Sequence, residues 1–443
     1  MGTKTFPILQ VEYLPASALK LDPGNAKQHS ERQIEQIARS IECFGFNVPI
    51  LVDHENIVRA GTGRYLACQK RGWNEVPIIR LAHLTEAQAR AFAIADNRLT
   101  ELGTWNDQLL GEIFRDLAAA ELDFSLEVTG FSMGEIDLQI EGLSQDRPDS
   151  ADELPTVATQ IAVTRPNDIW HLGRHRVLCG NALDSIAYEP LMQGAVADLI
   201  FTDPPFNVPI DGHASGNGQI HHREFAMAAG EMTAAQYTEF LIQICKRLAQ
   251  NSVDGAIHYL CMDWRHMGEL LSAGQAAYTE LKNVCVWVKD NGGLGSFYRS
   301  QHELIFVFKS GTARHRNNIQ LGKFGRNRTN VWAYPGANTL SRGGEEGNLL
   351  ALHPTVKPVA LIADAILDCS ARGDIVLDPF LGSGSTLIAA ERVGRICYGI
   401  EIDPLYIDTA IRRWQRYTGG EAIHAMTGKS FDAMAAEREG RHA

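Results

Sequence analysis

The feature that most constrains the fold is a long alternation of apolar and amphipathic stretches between residues 161 and 418. The runs at 197–203 and 374–378 have the composition of buried strands, whereas residues 233–249 repeat apolar side chains at helical spacing. Strands that alternate with helices along a chain form a parallel sheet covered by helices on both faces. This part of the chain is therefore predicted to be a three-layer α/β domain.

A glycine-rich turn lies between a predicted strand and a predicted helix at 385–393. The candidate ligand-binding residues of this turn are Asp378, Pro379, Phe380, Gly382, Gly384, Ser385 and Thr386. Glycines at such a turn let a ligand reach the backbone N–H groups of a helix N-terminus. The next strand ends at Glu401, nineteen residues after Gly382, where a carboxylate can accept both hydroxyls of a ribose. Leu387 occupies the place of the third glycine of a dinucleotide site, so a purely structural turn is the alternative.

A second motif, Asp203-Pro-Pro-Phe206, ends another predicted strand. Its prolines, Pro204 and Pro205, lack N–H donors, so nearby carbonyl oxygens face outward as acceptors. The Asp203 carboxylate and one such carbonyl can accept both hydrogens of an exocyclic amine, which localises the nitrogen lone pair. Phe206 offers a ring on which a flipped base can stack. An ordinary Asp-Pro-Pro turn is the alternative.

The two motifs, with the Asp-Pro-Pro-Phe motif preceding the glycine turn, resemble the β-class DNA amino-methyltransferases. The resemblance covers about residues 170–418 and implies a Rossmann-like sheet with S-adenosyl-L-methionine as cofactor. The segments His353-Pro-Thr-Val-Lys-Pro358 and Cys179-Gly-Asn-Ala-Leu183 resemble the family's cofactor-side motif and its contact with the cofactor adenine. The implied cofactor contacts outside the glycine turn are Asn181, Ala182, Pro354, Thr355, Lys357, Glu401 and Ile402. Trp287-Val-Lys289 and Arg299-Ser-Gln-His-Glu303 resemble later strand motifs of the family.

Residues 8–105 resemble the ParB/sulfiredoxin-like family, a smaller α+β fold. The resemblance rests on Asn25-Ala-Lys-Gln-His29, Gly61-Thr-Gly-Arg64 and Ala95-Asp-Asn-Arg98. That family places phosphate contacts at the glycine-containing turn and its arginine, so the resemblance leaves open a nucleotide at this domain. A helix start with a surface arginine is the structural alternative.

The sequence divides into four predicted parts. Residues 1–105 form the ParB/sulfiredoxin-like domain, 106–155 a helical connector and acidic linker, 156–420 the methyltransferase domain, and 421–443 a polar C-terminal tail. The stretch 144–153 is acidic and interrupted by proline, so it has too little apolar surface to form a packed core and is expected to be a mobile linker. The polar tail is expected to fray.

Charge is distributed unevenly along the chain. The whole sequence has 41 Lys and Arg residues and 53 Asp and Glu residues, a net charge of −12. Residues 282–328 instead carry nine basic and two acidic side chains. Such a segment can meet the phosphates of double-stranded DNA, although a solvated basic face is the simpler alternative. The predicted DNA contacts are Lys289, Arg299, Arg314, Arg316, Lys323, Arg326 and Arg328.

The eight cysteines include no Cys-x-x-Cys pair, and several lie in apolar runs, which is typical of buried free thiols in a reducing compartment. No apolar stretch reaches the length of a membrane-spanning helix. These features predict a cytoplasmic protein without a membrane partner. His213, His221 and His222 lack the partners and spacing of a metal site, so no metal is predicted. A homodimer is left open.

The function predicted from these motifs is site-specific transfer of a methyl group from S-adenosyl-L-methionine to the exocyclic amine of a flipped DNA base. Adenine N6 is favoured because the cytosine-N4 enzymes of the resembled family more often carry serine at the position of Asp203. The alternatives are cytosine-N4 transfer, an RNA substrate, and a non-catalytic ParB-like DNA-binding protein. The intact Asp203, Gly382, Gly384 and Glu401 argue against the non-catalytic alternative.

Overall fold

The chain forms two compact units, residues 1–145 and 146–443. A computed structural model describes residues 8–120, 122–142, 151, 162–208, 228, 230–290, 292, 297–319, 326–336 and 357–439. No helix in these ranges is both long and apolar enough to cross a membrane. The eight cysteines are free thiols, and all except Cys43 are buried.

The first unit contains a small sheet of four strands in the order β1-β4-β2-β3. The strands are β1 (Val11–Pro15), β2 (Ile50–Val52), β3 (Val58–Ala60) and β4 (Glu75–Arg80). The helices of this unit span Glu31–Phe44, Thr62–Arg71, Glu86–Glu101, Asp107–Ala119 and Met133–Gly142. Local sequence sets their starts: the Thr85 hydroxyl accepts the backbone N–H of Gln88, whose side chain bonds back to Thr85 in a capping box.

The two helices between residues 107 and 142 form more than an extended connector. Leu110, Phe114, Leu126 and Ile136 bury one another in a core of their own. The apolar spacing along Asp107–Ala119 supplies one face of that core, and the short turn of 3₁₀ helix at Leu126–Thr129 supplies another.

The second unit is built on a ten-stranded sheet in the order β11-β9-β10-β8-β7-β12-β13-β6-β5-β14. Its strands are β5 (Ile169–Leu172), β6 (His175–Cys179), β7 (Ala197–Thr202), β8 (Ser252–Met262), β9 (Glu280–Val288), β10 (His302–Lys309), β11 (Val331–Ala333), β12 (Ile375–Asp378), β13 (Ile396–Glu401) and β14 (Ala422–His424). Its helices span Ser185–Met192, Ala234–Gln250, Met267–Ala277, Val359–Cys369, Ser385–Arg392, Pro404–Thr418 and Phe431–Glu439. Two apolar clusters occupy the two faces of the sheet, so the predicted α/β fold is confirmed.

Strand direction determines which ends share an edge of this sheet. Strands β6, β13, β12, β7 and β8 run parallel to their neighbours in this series. Strand β10 runs antiparallel to both β8 and β9. The start of β10 and the end of β9 therefore lie at the same edge as the carboxyl ends of the parallel strands. We call this the carboxyl edge, which is where open α/β sheets bind ligands.

The C-terminal segment differs from the expected fraying tail. Strand β14 pairs antiparallel with β5 and extends the main sheet. Phe431, at the start of the last helix, is fully buried, and its ring centroid lies 5.2 Å from that of Trp170. The few apolar residues in this polar stretch fall where they can reach the core, and burial of one Phe side chain contributes about 1.5–3 kcal/mol.

Candidate active site

The Asp-Pro-Pro-Phe motif and the glycine turn meet at the carboxyl edge of the sheet. Asp203 follows β7 directly, and Asp378 and Glu401 are the last residues of β12 and β13. Strand β12 lies between β7 and β13, with Leu377 opposite Ile200 and Asp378 opposite Gly399. The fold thus brings together two motifs that are separated by more than 170 residues in sequence.

The two oxygens of the Asp203 carboxylate differ in their hydrogen bonding. Oδ2 accepts a hydrogen bond from the Lys357 ammonium at 2.5 Å. Oδ1 is inaccessible to solvent and has no hydrogen-bond partner among the described residues. The side chain as a whole is 21 % exposed, so it lies just beneath the surface of the edge.

Asp203 belongs to a chain of four alternating charges. Lys357 also lies 3.0 Å from Glu303 Oε2, and Lys289 lies 2.5 Å from Glu303 Oε1. Two cations and two anions therefore neutralise each other within the site. We call these four residues the charge chain. The resemblance placed Lys357 on the cofactor side, whereas the structure brings it to the carboxylate of the Asp-Pro-Pro-Phe motif.

Burial and pairing act in opposite directions on the acids of the charge chain. Burial raises the pKa of Asp203, and the nearby Lys357 only partly opposes this. Burial also disfavours the charged form of Glu303, but Lys357 and Lys289 outweigh it and lower its pKa to about 2. Burial acts against the charge of Lys357, yet Asp203 and Glu303 raise its pKa above the usual range. Glu303 and Lys357 are thus firmly ionised, and of the two acids Asp203 is the one that gains a proton more easily.

The rest of the Asp-Pro-Pro-Phe motif is held in place by a neighbouring helix and loop. The Tyr237 hydroxyl donates to the Pro205 carbonyl at 2.8 Å. The Asn207 side chain accepts the N–H groups of Gly230 and Met232 and donates to the Met232 carbonyl. Asn207 has a left-handed backbone with φ of 54°, which asparagine tolerates better than most residues. Phe206 is half-buried, with the Lys357 ammonium 5.5 Å from its ring centroid.

The glycine turn is tightly packed against the helix Pro404–Thr418. Gly382 and Gly384 have φ of 53° and 85°. A Cβ at Gly384 would lie 2.8 Å from the Ala410 Cβ, so a side chain does not fit there. The turn leads into the helix Ser385–Arg392, whose first N–H groups point toward the carboxyl edge.

Glu401 joins the glycine turn to the end of β13. Its Oε2 accepts the Gly382 N–H at 2.8 Å, and its Oε1 accepts the Asp403 N–H at 2.9 Å. Burial raises the pKa of Glu401 to about 7, despite these two bonds. A carboxylate at the end of this strand, beside the glycine turn, fits the ribose of a nucleoside-type cofactor such as S-adenosylmethionine.

Asn181 and Ala182 follow β6, whose last residue, Cys179, is paired with Glu401. The Cys179 thiol also contacts the carbonyl of Ile402 at 3.9 Å. Asn181 is exposed, and its side chain accepts the Leu183 N–H at 3.0 Å. These residues therefore lie beside Glu401 at the carboxyl edge.

Three polar residues predicted at the cofactor bond mainly within the protein. Both oxygens of Asp378 accept hydroxyl donors at 2.7 Å, one from Thr202 and one from Thr386. Ser385 accepts from the Arg413 guanidinium at 3.1 Å. Asp378 thus ties β7 to the glycine turn, and Phe380 packs near Phe240 with ring centroids 6.3 Å apart. Pro379 links Asp378 to Phe380 at the start of the turn.

Several predicted residues lie outside the described part of the chain. They are Lys323, Pro354, Thr355, His213, His221 and His222.

Strand β10 separates the basic residues that the sequence groups together. Lys289 and Arg299 lie at the carboxyl edge, after β9 and before β10. Arg314 and Arg316 follow β10 and therefore lie at the opposite edge, where the Ala313 N–H donates to Asp254 near the start of β8. Because β10 reverses the chain direction, Lys289 and Arg299 lie at the edge of the sheet opposite to Arg314 and Arg316.

Arg326 and Arg328 are used inside the protein. The Arg326 side chain is 4 % exposed and bonds to Asp368 at 3.0 Å and Asp364 at 3.1 Å. Arg328 lies 2.8 Å from Asp368 and 2.9 Å from Asp364. Their charges are neutralised by the buried Asp368 and the partly exposed Asp364, so this placement argues against phosphate contacts by these two residues.

The glycine-containing turn of the first unit is also closely packed. The Asn25 side chain donates to the Thr62 hydroxyl at 3.1 Å. Arg64 lies under Gly61 and donates to the Pro49 carbonyl at 3.3 Å. The Arg64 guanidinium thus packs against the backbone of Pro49 and Gly61, and burial lowers its pKa.

Two residues of the site were not predicted as functional. Glu303 belongs to a quoted strand motif, and its signal is an acid at the start of the apolar run Glu303-Leu-Ile-Phe-Val-Phe308. Tyr237 looks like an ordinary core residue of an amphipathic helix, and only its hydroxyl contact with Pro205 shows its role.

Comparison with known proteins agrees with this geometry. Residues 197–412 match the family described as DNA methylase, and residues 108–166 match the ParB-methyltransferase HTH domain. The Type II methyltransferase M2.DpnII of Streptococcus pneumoniae is 26 % identical over 248 residues, which cover 52 % of this chain and 87 % of that protein. The Type II methyltransferase M2.MboI of Moraxella bovis is 25 % identical over 253 residues, which cover 54 % of this chain and 87 % of that protein. Among solved structures, the PvuII DNA methyltransferase (cytosine-N4-specific) superposes with a TM-score of 0.42 at 15 % identity. The superposition covers 60 % of this chain and 91 % of that protein.

The methylase match spans the strands from β7 to β13 and includes both motifs of the carboxyl edge. The HTH match includes the two helices between residues 107 and 142. Residues 197–412 therefore form a DNA methylase domain of the S-adenosylmethionine-dependent amino-methyltransferases, and residues 108–166 carry the ParB-methyltransferase HTH domain.

Proposed function

We propose that this enzyme methylates N6 of an adenine flipped out of double-stranded DNA, and that Asp203 binds the reacting amine. The observation that carries the proposal is the unequal state of the Asp203 oxygens, one held by Lys357 and one without a partner among the described residues. A buried acceptor without a donor costs about 1–3 kcal/mol. An exocyclic amine of a flipped base would supply that donor.

The proposed reaction depends on turning the amine lone pair out of the ring system. Asp203 Oδ1 and the Pro204 carbonyl accept the two N–H groups, while Phe206 stacks on the base. The Pro205 carbonyl is already bonded to Tyr237 and thus fixes the motif instead of meeting the amine. S-adenosylmethionine, when bound, supplies an electrophilic methyl group on a sulfonium. As the nitrogen bonds to the methyl carbon, the carbon–sulfur bond would break with its electron pair left on sulfur. The Asp203 carboxylate stabilises the positive charge that develops on the nitrogen, which then releases one proton to solvent.

The glycine turn and Glu401 support the proposed place of the cofactor. Glu401 would accept the ribose hydroxyls, and Asn181 and Ala182 would lie beside the adenine. The glycine turn stands between Glu401 and the Asp-Pro-Pro-Phe motif, because Asp378 bonds to Thr202 of β7. A methyl donor held there would therefore be close to Asp203.

Glu401→Gln should weaken binding of S-adenosylmethionine about 10- to 150-fold at pH 8, because a charged hydrogen-bond acceptor contributes about 1.5–3 kcal/mol. The wild-type affinity should also fall as the pH drops through about 7, since the carboxylate then gains a proton. The glutamine variant has no group to titrate at this position and should lose that dependence. Calorimetry at pH 6, 7 and 8 measures both effects, and equal affinities of the two proteins at pH 8 would contradict the placement.

The methylated product should be N6-methyladenine. Asp203 offers a carboxylate acceptor whose ionised form is favoured by the nearby Lys357, which suits binding of the adenine amine. DNA from an expressing host without other methylases should be digested and its nucleosides identified by mass spectrometry. N4-methylcytosine as the main product would refute adenine as the target and leave the role of Asp203 intact.

A further inference from the structure

Three exposed aromatic side chains gather at the carboxyl edge. Phe297 is 86 % exposed, Tyr298 81 % and Trp264 46 %. They are the exposed aromatic residues among the described residues of the second unit. Single exposed apolar side chains are scattered over most protein surfaces, whereas several large rings at one place usually mark a binding region.

These rings lie on the two segments that border the Asp-Pro-Pro-Phe motif. Trp264 follows β8, which is the neighbour of β7 in the sheet. Phe297 and Tyr298 precede β10, and their ring centroids are 4.6 Å apart in an edge-to-face arrangement. The Trp264 indole N–H donates to the Ser300 hydroxyl at 3.2 Å, which joins the two segments.

Two chains of contacts connect this aromatic surface to Asp203. On one side, His266 packs edge-to-face on Tyr237 at 5.1 Å, and Tyr237 bonds to the Pro205 carbonyl. On the other side, the Gln301 side chain donates to the Lys289 carbonyl at 2.8 Å, and Lys289 begins the charge chain that ends at Asp203. The surface is thus tied to the reacting group.

The charges around the rings favour a polyanion. Arg265 lies over the Trp264 ring at 5.0 Å, and Arg299 directly follows Tyr298 and is exposed. Nearby acids are already engaged: Asp263 accepts from Arg265 and caps its own turn, and Asp290 accepts the Gly336 N–H. Exposed arginine beside aromatic rings is the combination that binds both phosphate and unstacked bases.

We propose that Trp264, Phe297 and Tyr298, with Arg265 and Arg299, form the surface that receives double-stranded DNA around the target base pair. The rings stack on bases left exposed when the target base leaves the helix, and the arginines contact the flanking phosphates. This role rests on the proposed function of Asp203. It explains why unusually exposed rings adjoin the place where a flipped base must enter.

The test compares the full-length double variant Phe297→Ala/Tyr298→Ala with wild type on two duplexes. Both contain the sequence that the wild type methylates, and in one of them the target base lies opposite an abasic position. The variant should lose about 10- to 100-fold in kcat/KM on the paired duplex. On the duplex with the unpaired target the loss should shrink to about threefold or less, because that base needs little energy to flip.

Met426→Ala is the matched control, because Met426 is 88 % exposed and follows β14 at the other end of the strand order. It should leave kcat/KM on both duplexes unchanged, and the affinity for S-adenosylmethionine should be unchanged in every variant. Equal losses on the two duplexes would overturn the stacking role. A change of molecular mass in solution, measured by light scattering, would instead indicate that these rings bind a second copy of the chain and would also overturn the proposal.

A failure of the proposed function can be distinguished from a failure of the proposed DNA-binding surface. A wild-type protein that binds the duplex yet methylates neither adenine nor cytosine would refute the role of Asp203. The surface would still be tested by duplex affinity, which Phe297→Ala/Tyr298→Ala should weaken about tenfold or more and Met426→Ala should not. Unchanged duplex affinity in the double variant would refute the surface.

Discussion

Replacing Asp203 with asparagine should lower kcat for methyl transfer at least about 10²-fold, which is the usual effect of removing one group that stabilises charge in the transition state. The variant keeps the size of the side chain, so the affinity for S-adenosylmethionine should stay within about threefold, since Asp203 lies outside the proposed cofactor contacts. Single-turnover transfer and calorimetry on the same preparation separate the two effects. Lys357 and Glu303 remain paired in the variant, which limits the damage to the fold.

Asp198→Asn is the matched control for this substitution. Asp198 lies near the opposite end of the same strand, where its Oδ2 accepts the Ile375 N–H at 2.7 Å. Asparagine there should cost about 1 kcal/mol of folding free energy and leave kcat unchanged. Retention of more than about a tenth of wild-type kcat by Asp203→Asn would contradict binding of the amine by this carboxylate.

The sequence was sufficient to predict the framework of the site. Strand ends that carry Asp203, Asp378 and Glu401 could be located because each follows a short apolar run. Parallel strands place such ends at one edge, which is where the structure brings the two motifs together. The glycine turn was equally visible, since positive φ at Gly382 and Gly384 needs glycine.

Other features depend on long-range pairing that local patterns do not contain. The basic residues between 282 and 328 look continuous in sequence, but β10 carries Arg314 and Arg316 to the far edge. Arg326 is neutralised by Asp364 and Asp368 from a helix about forty residues away. The hydrophobicity pattern of the sequence could not reveal this burial, because both members of the ion pair are charged residues that are normally predicted at the surface.

The C-terminal segment shows the opposite case, in which polar composition hides an ordered element. Strand β14 has only three residues, and a strand this short has no clear alternation. Its order comes from pairing with β5 and from the burial of Phe431 behind it. Tertiary contacts thus override local propensity in this part of the chain.

The charge chain raises the question of what Lys357 contributes beyond charge balance. Lys357 occupies one oxygen of Asp203 and leaves the other for the amine. It also opposes the effect of burial on the Asp203 pKa. Cys261, Asp378 and Tyr237 are further titratable groups near the chain, and the pKa of each is raised by burial, so at neutral pH Cys261 and Tyr237 add no negative charge. Lys357 is therefore a positioning residue that favours the ionised form of Asp203 against the effect of burial.

Lys357→Met should lower kcat at pH 7 at least about 10²-fold and move the acidic limb of the kcat profile to higher pH. The sign follows from the charges: without Lys357 the carboxylate of Asp203 loses its cation, its pKa rises further, and the active ionised form disappears at a higher pH as the solution is acidified. Breaking one member of a buried ion pair also costs about 3–5 kcal/mol of stability. Thermal unfolding must therefore be measured alongside the pH profile.

Two further variants keep this prediction independent of folding. Lys357→Arg retains the cation and should retain the wild-type position of the acidic limb. Lys357→Met/Glu303→Gln removes one cation and one anion together, so the remaining Lys289 and Asp203 balance and stability should recover in part. The double variant still lacks the donor to Asp203 Oδ2, so its acidic limb should remain displaced even when the protein is folded. A folded double variant with wild-type kcat and a wild-type pH profile would show that Lys357 serves only the fold, because the charge on Asp203 would then not depend on it.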